Sequence, residues 1–208
     1  MKLKLNDKPT TEPITLGEAK DHLRVQNNSD NTYITSLITS SRQEVEEYTG
    51  LAIINQTWTG YLDRFPNIDN NHWFDGIIQA PINLNTKASE IEIPKRPLQS
   101  ITHIKTYSDD DVATIISTND YQVTTYNAPN PKKGKITLRD GKLWPSFTRN
   151  ADGVEIKFIA GYGSASDVPE ALKQAIKIIV AYRYCNREDS SMPRQVQYLL
   201  NSYREVIL

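Results

Sequence analysis

The chain is poor in residues that build covalent or metal-held frameworks. Of its 208 residues one is cysteine, Cys185, and three are histidine. A lone thiol excludes an intramolecular disulfide framework and a cysteine metal cluster. His22, His72 and His103 fall in three separate segments without an i,i+4 pair, so zinc ligation has no spacing to build on. Long apolar runs are missing too. In the C-terminal half the longest uncharged one is Ile178–Tyr182, far short of the ~20 residues a bilayer crossing needs. Met1-Lys2-Leu3-Lys4-Leu5-Asn6 lacks the apolar core of a signal peptide. The expectation is a soluble, intracellular chain with no membrane partner.

Neither sign of charge dominates: 24 Lys and Arg stand against 25 Asp and Glu. Residues 1–50 carry 6 positive and 8 negative groups, residues 51–162 carry 12 and 12, and residues 163–208 carry 6 and 5. A non-specific phosphate binder needs a concentrated basic footprint, and no segment provides one. Lys132-Lys133-Gly134-Lys135 is the one dense basic spot, read as a solvated turn between strands.

Signatures of catalysis are equally scarce. Gly161-Tyr162-Gly163 sits between a strand and a helix, where phosphate-cradling loops occur, but no GxGxxG or Lys-Ser/Thr follows it. Its glycines read as the exit from the strand. No GxSxG elbow is present. Asp109-Asp110-Asp111 lacks the alternation and glycine of a calcium loop and reads as a hairpin tip. Cys185 reads as inert packing within an apolar helix. The expectation is no enzyme, no catalytic or metal-binding residue and no cofactor.

What the sequence does hold is periodic. With 38% hydrophobic residues spread along its length, a chain of this mass hides about 70% of its unfolded surface on folding. Thr15-Leu16-Gly17-Glu18 is a capping box opening a helix that stops near Val25. Ile34, Leu37, Ile38, Val45 and Tyr48 mark a second helix over about 31–49, with Gly50 as its left-handed stop and Arg42, Gln43, Glu44, Glu46 and Glu47 on a wet outer face. The period then drops to two. Strands are expected at 53–62, 101–107, 112–116, 121–125, 135–138 and 154–159, in antiparallel order because the connections are short. Residues 66–90, with five Asn and the cluster Trp73-Phe74 and Ile77-Ile78, read as a long loop or arm or as a hairpin turning at Asp75-Gly76. A third helix should run from Pro169 to about Arg187, with Asp167 and Glu170 as a second capping box, and a fourth over about 193–206. The third helix is apolar on most sides over Ile178–Cys185, so it must be covered on most sides, by this chain's own core or by a neighbour.

The fold class is therefore α+β. Helix pairs at 1–50 and 163–208 are expected to pack as one helical core, with an antiparallel β-rich insertion at 51–162. Trp73, Phe74, Ile77, Ile78, Ile179 and Tyr182 are the candidate partner or subunit contacts.

The order of several short segments resembles the head–tail connector (adaptor, head-completion) proteins of tailed bacteriophages and prophages. The likeness is carried by 14–20 (ITLGEAK), Leu23-Arg24-Val25, Leu37-Ile38 and 45–50 (VEEYTG). Gln56-Thr57-Trp58, 96–101 (RPLQSI), Asp120-Tyr121 and Trp144-Pro145 follow. The longest match, in the C-terminal part, joins 160–163 (AGYG), 168–176 (VPEALKQAI) and Asn186-Arg187-Glu188. Residues 66–90 look longer and richer in Asn than the family pattern, and 26–30 (QNNSD) is less acidic. The resemblance implies a structural adaptor forming a homo-oligomeric ring of about twelve copies below the portal protein. Such a ring links the capsid vertex to neck or tail-completion proteins and extends the channel through which DNA passes without sequence-specific binding. It also implies location at the head–tail junction of the virion, after assembly in the host cytoplasm. Two alternatives stand beside it. One is a neck or tail-completion protein of the same particle. The other is a hydrolase or ligand-binding module with its site between the β insertion and the helices, near Trp73, Phe74, Trp144, His72, Asp75 and Asp140.

Overall fold

Thr15 opens the first helix as the capping box requires. Its Oγ1 accepts the Glu18 N–H at 3.1 Å, while Glu18 Oε2 accepts the Thr15 N–H at 2.7 Å. Helix α1 covers Leu16–Leu23 and stops at Arg24, whose φ of 56° is left-handed. Helix α2 covers Asn31–Thr49, and Gly50 ends it at φ 73°, its N–H bonded to the Glu46 carbonyl at 2.9 Å. The computed structural model describes residues 1–66, 73–74, 77–78, 90–126, 130–145, 149–189 and 191–204, with the backbone alone at 73–74 and 77–78.

The β-rich middle forms antiparallel sheets. A five-stranded sheet runs in the order β1 (Lys2–Asp7), β2 (Gln56–Leu62), β10 (Val154–Ala160), β6 (Leu98–Tyr107) and β7 (Ala113–Ile115). In its centre Val154, Ile156, Phe158 and Ala160 are buried and the residues between them half-buried, the alternation of a strand with one face on a core. A second sheet has the order β5 (Glu90–Ile93), β9 (Gly134–Leu138) and β8 (Tyr121–Thr124). The pair β3 (Trp73–Phe74) and β4 (Ile77–Ile78) aligns Trp73 with Ile78 and Phe74 with Ile77. The expected turn at Asp75-Gly76, like 67–72 and 79–89, lies outside the described residues.

Helices α3 (Glu170–Cys185) and α4 (Arg194–Leu200) close the chain, α4 running into a 3₁₀ turn at Asn201–Tyr203. Their starts differ from expectation. Asp167 does not pair with Glu170 as a capping box. It caps a separate 3₁₀ turn by accepting the Ser164 N–H at 2.8 Å, and Pro169 stands just before the first helical residue. The third helix also ends two residues early, because Asn186 leaves the helical region at φ −119° and ψ 73° while its side chain donates to the Tyr182 carbonyl.

Two apolar clusters result. In one, Ile34, Leu37, Ile38 and Val45 of α2 meet Leu172, Ile176, Ile179 and Val180 of α3, with Val196 and Leu200 of α4 beside them. In the other, Ile104, Ile156 and Phe158 of the large sheet pack with Ile91, Ile93 and Ile136 of the small one. Each side chain so enclosed contributes about 1.5–3 kcal/mol relative to exposure. Residues 51–54 join the two: Leu51, Ile53 and Ile54 enter the helical cluster and Ala52 the sheet cluster. One expected boundary shifts, since residues 2–7 belong to the sheet and not to the helical core.

Candidate assembly surfaces

The seam between helices and sheet is held by charges that sequence reading left in solvent. Arg42 and Glu46 were assigned to the wet face of α2, yet Arg42 is 4% exposed and Glu46 9%. The spacing explains the correction: Ile38, Arg42, Val45, Glu46 and Thr49 form one buried stripe at three- and four-residue intervals. Glu46 accepts from Arg42 Nη1 at 2.6 Å, from Gln56 Nε2 at 2.6 Å and from the Ile53 N–H at 2.8 Å. Arg42 Nε reaches Glu12 at 2.7 Å. Burial holds the Glu46 carboxyl above the usual carboxylate range despite the Arg42 charge, and it lowers the nearby Lys95 ammonium. Lys95 in turn lies 5.0 Å above the Trp58 ring.

Arg96 is the second tie, and sequence reading gave it no role of its own. Its guanidinium is buried and donates to the carbonyls of Thr49 at 2.8 Å, Pro131 at 3.1 Å and Tyr203 at 3.3 Å. One side chain from the approach to β6 thus holds the end of α2, the approach to β9 and the turn after α4. Gln99 Nε2 donates to the Gly161 carbonyl at 2.6 Å, and the Gly161 N–H to the Pro97 carbonyl at 2.9 Å. The segment 96–101, singled out in the sequence, is a latch between layers.

The candidate contact residues separate. Ile179 is fully enclosed by this chain's own helices, so it has no surface to offer a neighbour. Tyr182 is half-buried at the α3–α4 corner, its hydroxyl donating to Asp189, beside a shallow cleft lined by Ile178, Met192 and Pro193. Trp73, Phe74, Ile77 and Ile78 are placed as paired strands, and their side chains lie outside the described residues. The apolar stretch Ile178–Cys185 is less enclosed than expected. Ile179 and Val180 are buried, but Tyr182 and Tyr184 are half-buried, and Cys185 is exposed rather than packed.

Of the residues proposed for a ligand pocket, the two with described side chains, Trp144 and Asp140, differ in setting. Trp144 is buried and stacked on Phe65, ring centroids 4.5 Å apart and planes 3° from parallel, inside the sheet cluster. Asp140 is exposed, and His72 and Asp75 lie outside the described residues. Elsewhere His103 Nε2 and the Tyr107 hydroxyl each meet the Glu155 carboxylate at 3.0 Å. Burial works against that charge, but the two hydrogen bonds outweigh it and hold the Glu155 carboxyl below its ordinary range. Among the described residues no group of three or more His, Cys, Asp or Glu could hold a metal ion. No described helix is long and apolar enough to cross a membrane.

One concave surface has a strong charge bias. A cleft of about 510 Å³ opens where the small sheet meets the end of α4. Among the described residues its cations are Arg96, Lys132, Lys133, Lys135 and Arg204, against the single carboxylate of Glu92. The basic spot read in the sequence as a solvated turn therefore forms one wall of a recess.

The model of one protein family, described as phage gp6-like head-tail connector protein, matches residues 13–139. No curated protein matches the sequence. Among solved structures the chain is similar to one in the neck of an empty gene transfer agent particle computed with C6 symmetry. That likeness has 21% identity and a TM-score of 0.76, covering 100% of this chain and 97% of the other. A chain in the virion of the native gene transfer agent particle gives the same values. One in the neck of the native particle computed with C12 symmetry has 23% identity and a TM-score of 0.66, covering 99% and 97%.

Proposed function

The chain belongs to the phage gp6-like head-tail connector family, and from that premise we propose that it is a structural subunit of the head–tail junction of a phage or phage-like particle. Copies assemble as a closed ring below the portal, continue the DNA channel and present a platform to the neck or tail-completion proteins that follow. The subunit is made in the host cytoplasm and retained in the virion. The observation that carries this reading is the family match over residues 13–139. The end-to-end likeness to chains of particles whose necks were computed with C6 and C12 symmetry supports the ring.

Two physical features agree with it. The pinned seam at Arg42, Glu46 and Arg96 suits a subunit that transmits load and keeps one shape. Near-balanced charge suits a channel wall past which DNA must slide, since a dense basic lining would grip phosphate. Light scattering with negative-stain imaging of the concentrated protein, alone and with portal rings, tests the proposal. A ring under either condition is expected. A strictly monomeric protein that also ignores portal rings overturns it, and an image of the whole particle with the subunit further down the tail favours a tail-completion role.

A further inference from the structure

The hairpin joining β6 and β7 ends in a well-defined acidic tip. The Ser108 N–H donates to the Val112 carbonyl at 3.1 Å, the Val112 N–H to Ser108 Oγ at 3.2 Å, and the Asp111 N–H to the Ser108 carbonyl at 3.0 Å. Arg149 Nη1 holds Asp111 at 2.7 Å. Asp109 and Asp110 are exposed and make no ion pair among the described residues. Behind them Val112 and Ile115 are 62% and 64% exposed, which is unusual for β-branched residues beside and within a strand. Strand β7 is also the outer edge of its sheet, with backbone groups that no described strand pairs. A rigid tip with two unspent carboxylates and two uncovered apolar side chains has the chemistry of a plug.

The cation-lined cleft has the chemistry of its socket. Lys135 is already paired with Glu90 at 3.0 Å and Glu92 at 3.6 Å. Arg96 is different: a buried guanidinium whose partners among the described residues are three carbonyls and no carboxylate. Arg204 lies over the Tyr48 ring at 4.9 Å, and both it and Lys132 are exposed at the rim. Tyr126, 38% exposed in the same wall, offers an apolar surface. Buried positive charge without a counter-ion is costly, so an incoming carboxylate is favoured there.

Plug and socket cannot meet within one chain. Arg96 directly precedes β6 and Ser108–Asp111 directly follows it, so a ten-residue strand holds them about 30 Å apart. We propose that the Asp109-Asp110 tip of one copy seats in the Arg96, Lys132 and Arg204 cleft of the next copy, as the head-to-tail contact of the ring. The proposal rests on the ring reading above. Such a contact is heterologous, and repeated with a rotation that divides a full turn it closes a ring without leaving a free plug or socket.

Two full-length variants test it. Asp109→Asn with Asp110→Asn kills the plug without giving it a charge that the reversed socket could attract, and keeps the socket. Lys132→Glu with Arg204→Glu kills the socket and keeps the plug. All four positions are exposed, and circular dichroism confirms that each variant folds. By sedimentation velocity, each alone should self-associate at least tenfold more weakly than the wild type. Mixed, they should form a 1:1 complex that grows no further and weakens as salt rises. Variants that assemble as the wild type does overturn the contact while leaving the ring intact. A mixture that stays monomeric also overturns it, as does a wild type monomeric to about 1 mM. The ring itself is judged separately, by imaging with the portal. A short DNA duplex provides the last arm. Duplex binding lost in the Lys132→Glu/Arg204→Glu variant, with self-association unchanged, assigns the cleft to phosphate and overturns the proposal.

Discussion

Arg96 Nη2 lies 2.8 Å from the carbonyl oxygen of Thr49, the last residue of α2, and this bond crosses from the β portion to the helices. With the bonds to Pro131 and Tyr203 it leaves three carbonyls dependent on one side chain. Replacing Arg96 by Met keeps the bulk and strands those acceptors. Each buried unmet acceptor costs about 1–3 kcal/mol, partly offset because a buried charge is also removed. Arg96→Met should lower stability by about 3 kcal/mol, read as a shift of the urea midpoint at unchanged slope. Arg96→Lys should recover little, because a single ammonium cannot reproduce the planar fork. A loss below about 1 kcal/mol would remove Arg96 from the list of ties.

Two glutamates should give pH dependences of opposite sign. Burial raises the Glu46 carboxyl in the folded chain, so its contribution is greatest below about pH 4.5 and fades as pH climbs through the folded value. Hydrogen bonds from Thr15 lower the Glu18 carboxyl, so its contribution is present at neutral pH and lost as acid takes pH below about 4.5. Urea midpoints between pH 3 and pH 8 should therefore respond differently to two variants. Glu46→Gln removes a stability loss on the rising-pH side, and Glu18→Gln flattens the acid side. Parallel curves for the two variants would contradict both assignments.

Trp144 stacks on Phe65, yet its indole N–H is buried and meets no hydrogen-bond partner among the described residues. The ring is thus valued for area and shape, while its polar atom is a liability. Trp144→Ala should cost about 3–5 kcal/mol as a cavity opens in the sheet cluster. Trp144→Phe should cost less than about 1.5 kcal/mol, since it keeps a stacked ring and removes the stranded donor. Thermal melts of the two variants decide the matter, and equal losses would show that the indole N–H is satisfied in solution.

How much of this was legible in the sequence depends on where the partners lie. The Thr15 and Glu18 box, the run of α2 to Gly50 and the alternation of β10 are local patterns, and the structure holds them with little change. Arg42 and Glu46 follow the same helical period as Ile38 and Val45, but charge argued for water. Their buried position depends on their mutual pair together with Glu12, Ile53 and Gln56, which no local pattern ties to the helix. Cys185 failed for a geometric reason. Tyr184 turns inward to meet Tyr33 with ring centroids 6.2 Å apart, and the next residue lies about 100° further round the helix, on the uncovered side. Strand β1 went unread because its alternation of Lys2 and Lys4 with Leu3 and Leu5 belongs to a mostly exposed edge, where lysine guards against stray pairing. The basic segment 132–135 is plain in the sequence, but its concave setting comes from Arg96 and Arg204, which no spacing in the chain ties to it.

Gly161 stands where β10 hands the chain to the helices, and two independent constraints act on it. Its φ of +143° is open to glycine and strained for any L side chain. A Cβ there would also lie 2.6 Å from the carbonyl carbon and oxygen of Ile54, and backbone cannot rotate aside as a side chain can. Gly161→Ala must therefore either twist the end of β10 or push 54–55 away, and both routes loosen the Gln99 and Pro97 bonds to Gly161. Strain of this kind costs about 1–3 kcal/mol before the clash is counted. The variant should lose at least about 3 kcal/mol by urea denaturation, with amide exchange rising first at Ile53, Gly161 and Tyr162. Gly141 offers the control: its φ is also positive, at +72°, but nothing stands within 4 Å of an added Cβ. Gly141→Ala should cost only about 1 kcal/mol. Similar losses at the two sites would mean that backbone conformation alone, and not the close approach to Ile54, dictates glycine at the junction.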